Sequence, residues 1–296
     1  MNILITGAKG QLGQEFKRLK DTFDGNLILT DLDEIDICSP ENINDFLSGI
    51  ELDYIVNCAA YTNVKDAEVE REKSLLINSF GVKNLVNFCE KKKIKLIHIS
   101  TDYVYNSKSI DPTDEMSNIK PINYYGLSKR EGEKHVEESK SESIVIRTSW
   151  LYSKFGKNFV NTIIDKCINN SEINVVDDQF GCPTYAKDLA NDILKIIKLN
   201  ANLNFENKIF NYSNLNYTNW YNFAITIKSI CGNYNLRRSI AMISACKYSL
   251  ATDSGLGHVS TALGIPTVSF FGIGVESHTA PKGKNNVVIK HCSPCF

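Results

Sequence analysis

Three glycines, Gly7, Gly10 and Gly13, sit in a turn that links a short apolar run at residues 2–6 to a stretch with helical spacing. Glycines so placed permit a tight turn, let the backbone approach a pyrophosphate and pack the helix closely on the strand. An ordinary glycine-containing β–α turn reads the same way, so the motif needs context. Asp31 provides some. It ends a second apolar run about twenty residues on, where a carboxylate can accept the ribose hydroxyls of a dinucleotide. Its plainer reading is a solvated turn residue.

The surrounding text agrees with that context. Strands are expected at residues 2–6, 27–31, 54–57, 94–100 and 143–148, with helices at 11–20, 40–48, 68–91 and 124–139. Strand–helix alternation with continuous apolar strands means a parallel sheet covered on both faces. The expected fold is therefore α/β, a doubly wound parallel sheet of Rossmann type, with ligands at the carboxyl ends of the strands. Beyond Trp150 the pattern is less regular. Residues 177–184 read as a loop, 185–199 as a helix, 200–207 as a connector and 220–231 as another helix. Further on, 239–245 reads as helix, 248–252 and 266–272 as strands, and 253–258 as a glycine-rich turn.

The 33 Lys and Arg residues nearly balance 34 Asp and Glu, which favours neither nucleic acid nor an acidic membrane as partner. No apolar run approaches the ~18 residues of a membrane span. Nine scattered cysteines lack a disulfide-framework spacing, as expected of reduced thiols in the cytoplasm. Cys292-x-x-Cys295 has the spacing of half a zinc site, but no second Cys/His pair accompanies it and no metal is expected.

Tyr125 and Lys129 are four residues apart, hence on one helix face. A tyrosine of pKa about 10 is a poor acid–base near neutrality, and a neighbouring ammonium should lower that value. The pair can then move the proton that accompanies hydride transfer. A surface helix carries the same spacing by chance. Thr101, just past an apolar strand, offers a hydroxyl to orient a carbonyl, or is a plain strand-end threonine. Asp102 and Tyr103 are further pocket candidates, or simple caps of the loop.

These residues resemble the extended short-chain dehydrogenase/reductase family. The segments that carry the resemblance are 3–13, Asp36-Ile37 with Ser39-Pro40, 57–62, 100–105, 125–129, 147–150 and 178–184, spread over roughly residues 1–234. The resemblance implies NADH- or NADPH-dependent reduction of the 4-keto group of a dTDP-linked deoxy sugar. It makes Thr101, Tyr125 and Lys129 catalytic, and lines the sugar site with Asp102, Tyr103 and Trp150. The cofactor would lie along Gly7, Gly10, Gln11, Leu12, Gly13 and Asp31, flanked by Asp36, Ile37, Ala59, Ala60 and Tyr61. Beside the nucleotide sugar, a second copy of the chain is the remaining candidate partner. Glu15 matches a glutamate that helps to bind magnesium at a dimer interface in some members, but the other acidic ligands have no match.

Two departures stand out. Lys65 stands where the family usually carries an acidic residue, and the usual C-terminal segment with an Arg-Pro pair is absent. Residues from about 236 instead resemble part of a heptosyltransferase-type glycosyltransferase (family 9), through 251–255, His258, 262–268 and Phe271-Gly272. The expected organisation is a dinucleotide-binding domain at 1–150, a smaller substrate lobe at 151–234 with some return to the sheet, and a transferase-like fragment at 235–296. Two other readings stay open: a dinucleotide-binding protein without turnover, and a transferase-related role of the tail.

Overall fold

The computed structural model describes residues 1–105, 112–169, 172–199, 208–231, 249–252, 260, 262–263, 265–271 and 286–290. The chain divides into two compact units, Met1–Cys231 and Gly232–Phe296. In the first unit the leading elements are β1 (Asn2–Thr6), α1 (Gln11–Leu19), β2 (Asn26–Leu29), α2 (Pro40–Phe46) and β3 (Tyr54–Asn57). Next come α3 (Arg71–Leu75), α4 (Gly81–Lys92), β4 (Lys95–Thr101), α5 (Tyr124–Glu137) and β5 (Ser143–Thr148). The substrate-side elements follow: β6 (Leu151–Tyr152), α6 (Phe159–Ile168), β7 (Phe180–Gly181), β8 (Thr184–Tyr185), α7 (Ala186–Leu199), β9 (Lys208–Tyr212), β10 (Thr218–Asn219) and α8 (Trp220–Ile230).

Six strands form one sheet in the order β2-β1-β3-β4-β5-β9, and every pair is parallel. The chain steps outward from β1 to β2, then returns past β1 to β3, so the direction of winding reverses between β1 and β3. In such sheets ligands bind at that crevice, beyond the carboxyl ends of the strands. β3 and β5 are buried along their whole length, and β1 from its second residue, because helices cover both faces. One core, including Ile5, Phe16, Ile97 and Leu189, lies on the α1–α7 face. The other, including Leu4, Ile55, Leu85 and Val145, lies on the α2–α4 face.

Three local features differ from the sequence reading. The helix expected over 68–91 is broken: a 3₁₀ turn at Asp66–Glu68 precedes α3, and a π-turn at Leu76–Phe80 joins α3 to α4. The π-turn carries Asn78, whose side chain bonds both backbone groups of Tyr61 (2.8 and 2.9 Å) and the Ser128 hydroxyl (2.9 Å). Single π-turns often occur at functional sites, and this one ties the β3 loop to α5. α6 and β9 had no counterpart in the sequence reading. Asp31 lies just past β2 rather than in it, because Thr30 turns to bond Ile5 and Ala8.

In the second unit, β11 (Ser249–Thr252), β12 (Thr267–Phe271) and β13 (Asn286–Lys290) form a separate three-stranded parallel sheet, with β12 in the middle. The strands expected at 248–252 and 266–272 are thus present and pair with each other; β13 was not expected. The connector at 200–207, the helix at 239–245, the turn at 253–258 and the Cys292–Cys295 pair lie outside the described residues.

Candidate active site

A cleft of about 900 Å³ opens at the carboxyl ends of β1, β3, β4 and β5 in the first unit. The glycine turn forms one wall. Gly7 has φ +66°, and a side chain there would meet the Ala59 amide nitrogen at 2.7 Å. A side chain at Gly13 would meet the Gly7 carbonyl oxygen at 2.4 Å. The turn is therefore packed directly on the β3 loop and on α1. α1 starts at Gly10 with no side-chain cap and no acidic residue in its first turn. Its free N–H groups and dipole suit an anion. Gln11 Oε1 is buried beside the cleft and has no hydrogen-bond partner among the described residues. A narrow side-chain-free cradle and an orphaned polar atom fit a dinucleotide.

Asp31 lines the cleft and accepts hydrogen bonds from the amides of Lys9 (2.7 Å) and Leu32 (2.9 Å). Those bonds hold its carboxylate at the mouth of the turn. The ammonium of Lys9 pairs with Asp33. Asp36 and Ile37 lie on the same side, and Ala59 and Ala60 form the opposing wall. Tyr61 does not join them. Its hydroxyl donates to Glu70 at 2.7 Å, and Asn78 clamps its backbone.

Thr101, Asp102, Tyr103, Tyr125, Lys129 and Trp150 all line the inner end of the cleft. The N-terminal turn of α5 is capped by Asn123, whose side chain accepts from the Gly126 amide at 2.8 Å. Gly126 lies flush on the segment after β4: a side chain there would meet the Tyr103 carbonyl oxygen at 2.2 Å. The same helix is anchored deeper by a buried pair, Glu133 with Arg147 of β5 at 2.7 Å, to which Ser100 adds a bond at 2.6 Å. Tyr103 and Tyr125 meet edge to face, with ring centroids 5.7 Å apart.

The electrostatics differ from the simple sequence picture. Burial raises the Tyr125 pKa, only partly opposed by the Thr101 hydroxyl, so the phenol keeps its proton. Lys129 does not counter this, because its ammonium is turned to the Ile99 carbonyl (2.7 Å), with His98 Nε2 at 3.4 Å. Burial lowers Lys129 itself to about 8, against the opposing pull of Glu133 and Cys58. Burial also raises Asp102 to about 6. Thr101 donates to Asp102 Oδ1 at 3.1 Å and accepts from the Tyr103 amide at 3.2 Å.

Trp150 is held with φ +43°, unusual for a bulky residue. Its indole lies over Gly181, where a side chain would come within 2.4 Å, and stacks on Trp220 at 3.4 Å. Phe159, Phe223 and Tyr152 complete this aromatic wall, and Lys157 adds a cation at its rim. The sequence reading missed these residues. A signal was present: Asn158-Phe159 and Asn219-Trp220 each place an Asn N-cap before an aromatic first residue of a helix.

A model of the RmlD substrate binding domain matches residues 1–253. The chain belongs to that family. The RmlD match runs past the limit near residue 234 drawn from the motifs. A model of glycosyltransferase family 9 (heptosyltransferase) matches 218–296, so the two overlap across α8 and β11. The spore coat polysaccharide biosynthesis protein SpsK of Bacillus subtilis (strain 168) is 34% identical over 250 residues, 84% of this chain and 85% of its own. The dTDP-4-dehydrorhamnose reductase of Escherichia coli (strain K12) is 35% identical over 231 residues, 77% of each chain. A crystal structure of dTDP-4-dehydrorhamnose reductase from Bacillus anthracis str. Ames in complex with NADP shares 37% identity, with a TM-score of 0.71 over 77% of this chain and 80% of that one. No helix among the described residues is long and apolar enough to cross a membrane.

Proposed function

We propose that this RmlD-family chain reduces the 4-keto group of a dTDP-linked deoxy sugar with NADH or NADPH, most specifically dTDP-4-dehydro-L-rhamnose to dTDP-L-rhamnose. It is an oxidoreductase. The observation that carries the reading is one cleft that holds both the glycine cradle and the Thr101–Tyr125–Lys129 group. The names of its relatives support the sugar-nucleotide substrate.

Gly7, Gly10 and Gly13 would hold the cofactor's pyrophosphate at the α1 N-terminus, Asp31 the adenine-side ribose, and Ala59 and Ala60 the wall behind it. A nicotinamide, when bound, supplies the hydride. Tyr125 then protonates the developing alkoxide. Its burial serves that role, because a phenol that keeps its proton is an acid ready to donate. Thr101 polarises the carbonyl once its hydroxyl turns from Asp102. Lys129 would hold the nicotinamide-side ribose once its ammonium turns from the Ile99 carbonyl. Trp150, Asp102 and Tyr103 line the sugar, in a site closed on one side by stacked indoles.

The test is a comparison of wild type with Tyr125→Phe in the reduction of dTDP-4-dehydro-L-rhamnose. The variant should lose 10²- to 10⁴-fold in rate, the usual worth of general acid catalysis, while it still binds cofactor. Retention of more than about a tenth of the rate removes Tyr125 from the mechanism. A second reading, a dinucleotide-binding protein without turnover, is favoured by the family 9 match that replaces the usual C-terminal segment. Absence of turnover in the wild type would select it.

A further inference from the structure

Behind the cleft, a buried chain of side chains runs from the glycine turn to Lys129. Thr6 Oγ1 donates to Asn57 Oδ1 at 2.7 Å, Asn57 Nδ2 lies 3.0 Å from His98 Nδ1, and His98 Nε2 lies 3.4 Å from Lys129 Nζ. Thr6, Asn57 and His98 are fully buried, and Lys129 is 2% exposed. They come from β1, β3, β4 and α5, so the sheet itself sets their spacing.

The donors in this chain have only one consistent order. The Ala59 amide can only donate, and it points at Asn57 Oδ1 from 3.2 Å. Asn57 Nδ2 must therefore face His98 and donate to Nδ1. That leaves Nδ1 as the bare nitrogen, so the proton of the neutral imidazole sits on Nε2. Burial and the adjacent Lys129 both keep His98 neutral. Its Nε2–H then points towards Lys129 Nζ. An ammonium offers no lone pair to that N–H, whereas an amine does.

We propose that His98, locked by Asn57 as the Nε2–H tautomer, is a positioning residue that favours the amine form of Lys129 and so makes the Lys129 ammonium a ready proton donor. The role rests on the reductase reading. There, Tyr125 Oη gives its proton to the alkoxide and is left as phenolate. Lys129 turns one N–H from the Ile99 carbonyl, gives that proton back towards Tyr125 and becomes an amine, which accepts an N–H···N bond from His98 Nε2–H. Solvent then restores the ammonium. Electrons and protons balance with no further reactant.

The other groups around Lys129 do not supply this bias. Glu133, one turn on along α5, favours the ammonium, although its own charge is shared between Arg147 and Arg130. Cys58 at the end of β3 is kept as a thiol by burial. Tyr125, one turn back, stays a phenol, and the Ile99 carbonyl of β4 favours the ammonium. Among the described residues, His98 is the side chain at hydrogen-bond distance from Nζ that presents an N–H.

Two measurements test this, and neither needs the sugar. In ¹⁵N-histidine NMR of the full chain, His98 should show a protonated Nε2 and a bare Nδ1; the opposite tautomer overturns the proposal. In ¹³Cε-lysine NMR, with Lys129 assigned through Lys129→Met, His98→Phe keeps a buried ring but removes the N–H. The Lys129 titration should move up by roughly half to one pH unit, the worth of one hydrogen bond. No shift, or a downward one, means that His98 only fills space. The wild-type tautomer decides the matter alone if His98→Phe does not fold. If both results hold and the sugar is still not reduced, it is the substrate assignment that has failed.

Discussion

Gly126 lies against the carbonyl of Tyr103 so closely that an added methyl group would sit 2.2 Å from that oxygen. This contact joins the helix that carries Tyr125 and Lys129 to the segment that carries Thr101 and Asp102. Gly126→Ala must therefore push α5 outward. The expected destabilisation is about 1–3 kcal/mol, as for other overpacked sites. The expected loss in kcat is on the order of 10²-fold, as a shift near 1 Å at the reacting groups produces. Urea melts and steady-state kinetics read the two effects.

Asp102 should leave a mark on stability. Burial raises its pKa to about 6, above the ordinary 3.8, so the folded state binds the proton more tightly than the unfolded chain. Stability from this group is present below about pH 4 and is lost as pH rises through about 6. Asp102→Asn should flatten that part of the profile and raise the thermal midpoint at pH 7. A midpoint that falls at pH 7, with the slope unchanged, would show that the carboxylate is stabilised by partners instead.

NADH should serve at least as well as NADPH. If Asp31 reads the adenine-side ribose as proposed, a 2′-phosphate there would meet its carboxylate. Lys9 is the neighbouring cation, but Asp33 already holds its ammonium. Comparison of kcat/KM for the two cofactors checks this; a strong preference for NADPH would mean that Lys9 leaves Asp33 for the phosphate.

The second unit should exchange its amide hydrogens faster than the first. β11 to β13 are strands of four and five residues in a sheet of three, whereas the first unit buries a six-stranded sheet on both faces. Small sheets open at lower free energy. Mass-spectrometric exchange should show β1, β3, β4 and β5 as the slowest segments. Protection of β12 equal to theirs would mean that the family 9 segment is as stable as the reductase core.

The sheet was readable because its strands are buried runs: β1, β3 and β5 match the expected bounds to the residue. β9 was not, because Lys208–Tyr212 is a short run that follows an Asn-rich stretch, with no alternation to mark it. The π-turn escaped because it shifts the register inside a continuous helical pattern, and the glycine that follows it, Gly81, is tolerated within a helix. In the site, positions fixed by backbone were legible, and positions fixed by side-chain direction were not. Tyr61 follows Ala59 and Ala60 in the same motif, yet its ring turns to Glu70. Lys129 shares a helix face with Tyr125, yet its ammonium is spent on Ile99. Phe159 and Trp220 had no role in the sequence reading, and only the fold brings them to one wall.

The decisive measurement mixes the pure chain with dTDP-4-dehydro-L-rhamnose and NADH or NADPH and follows nicotinamide absorbance. Absorbance should fall only with both substrates present, stop at one nicotinamide oxidised per sugar reduced, and stay constant with Tyr125→Phe. Unchanged absorbance with either cofactor, from protein shown to bind it, would contradict the assignment of this cleft as a keto-sugar reductase site.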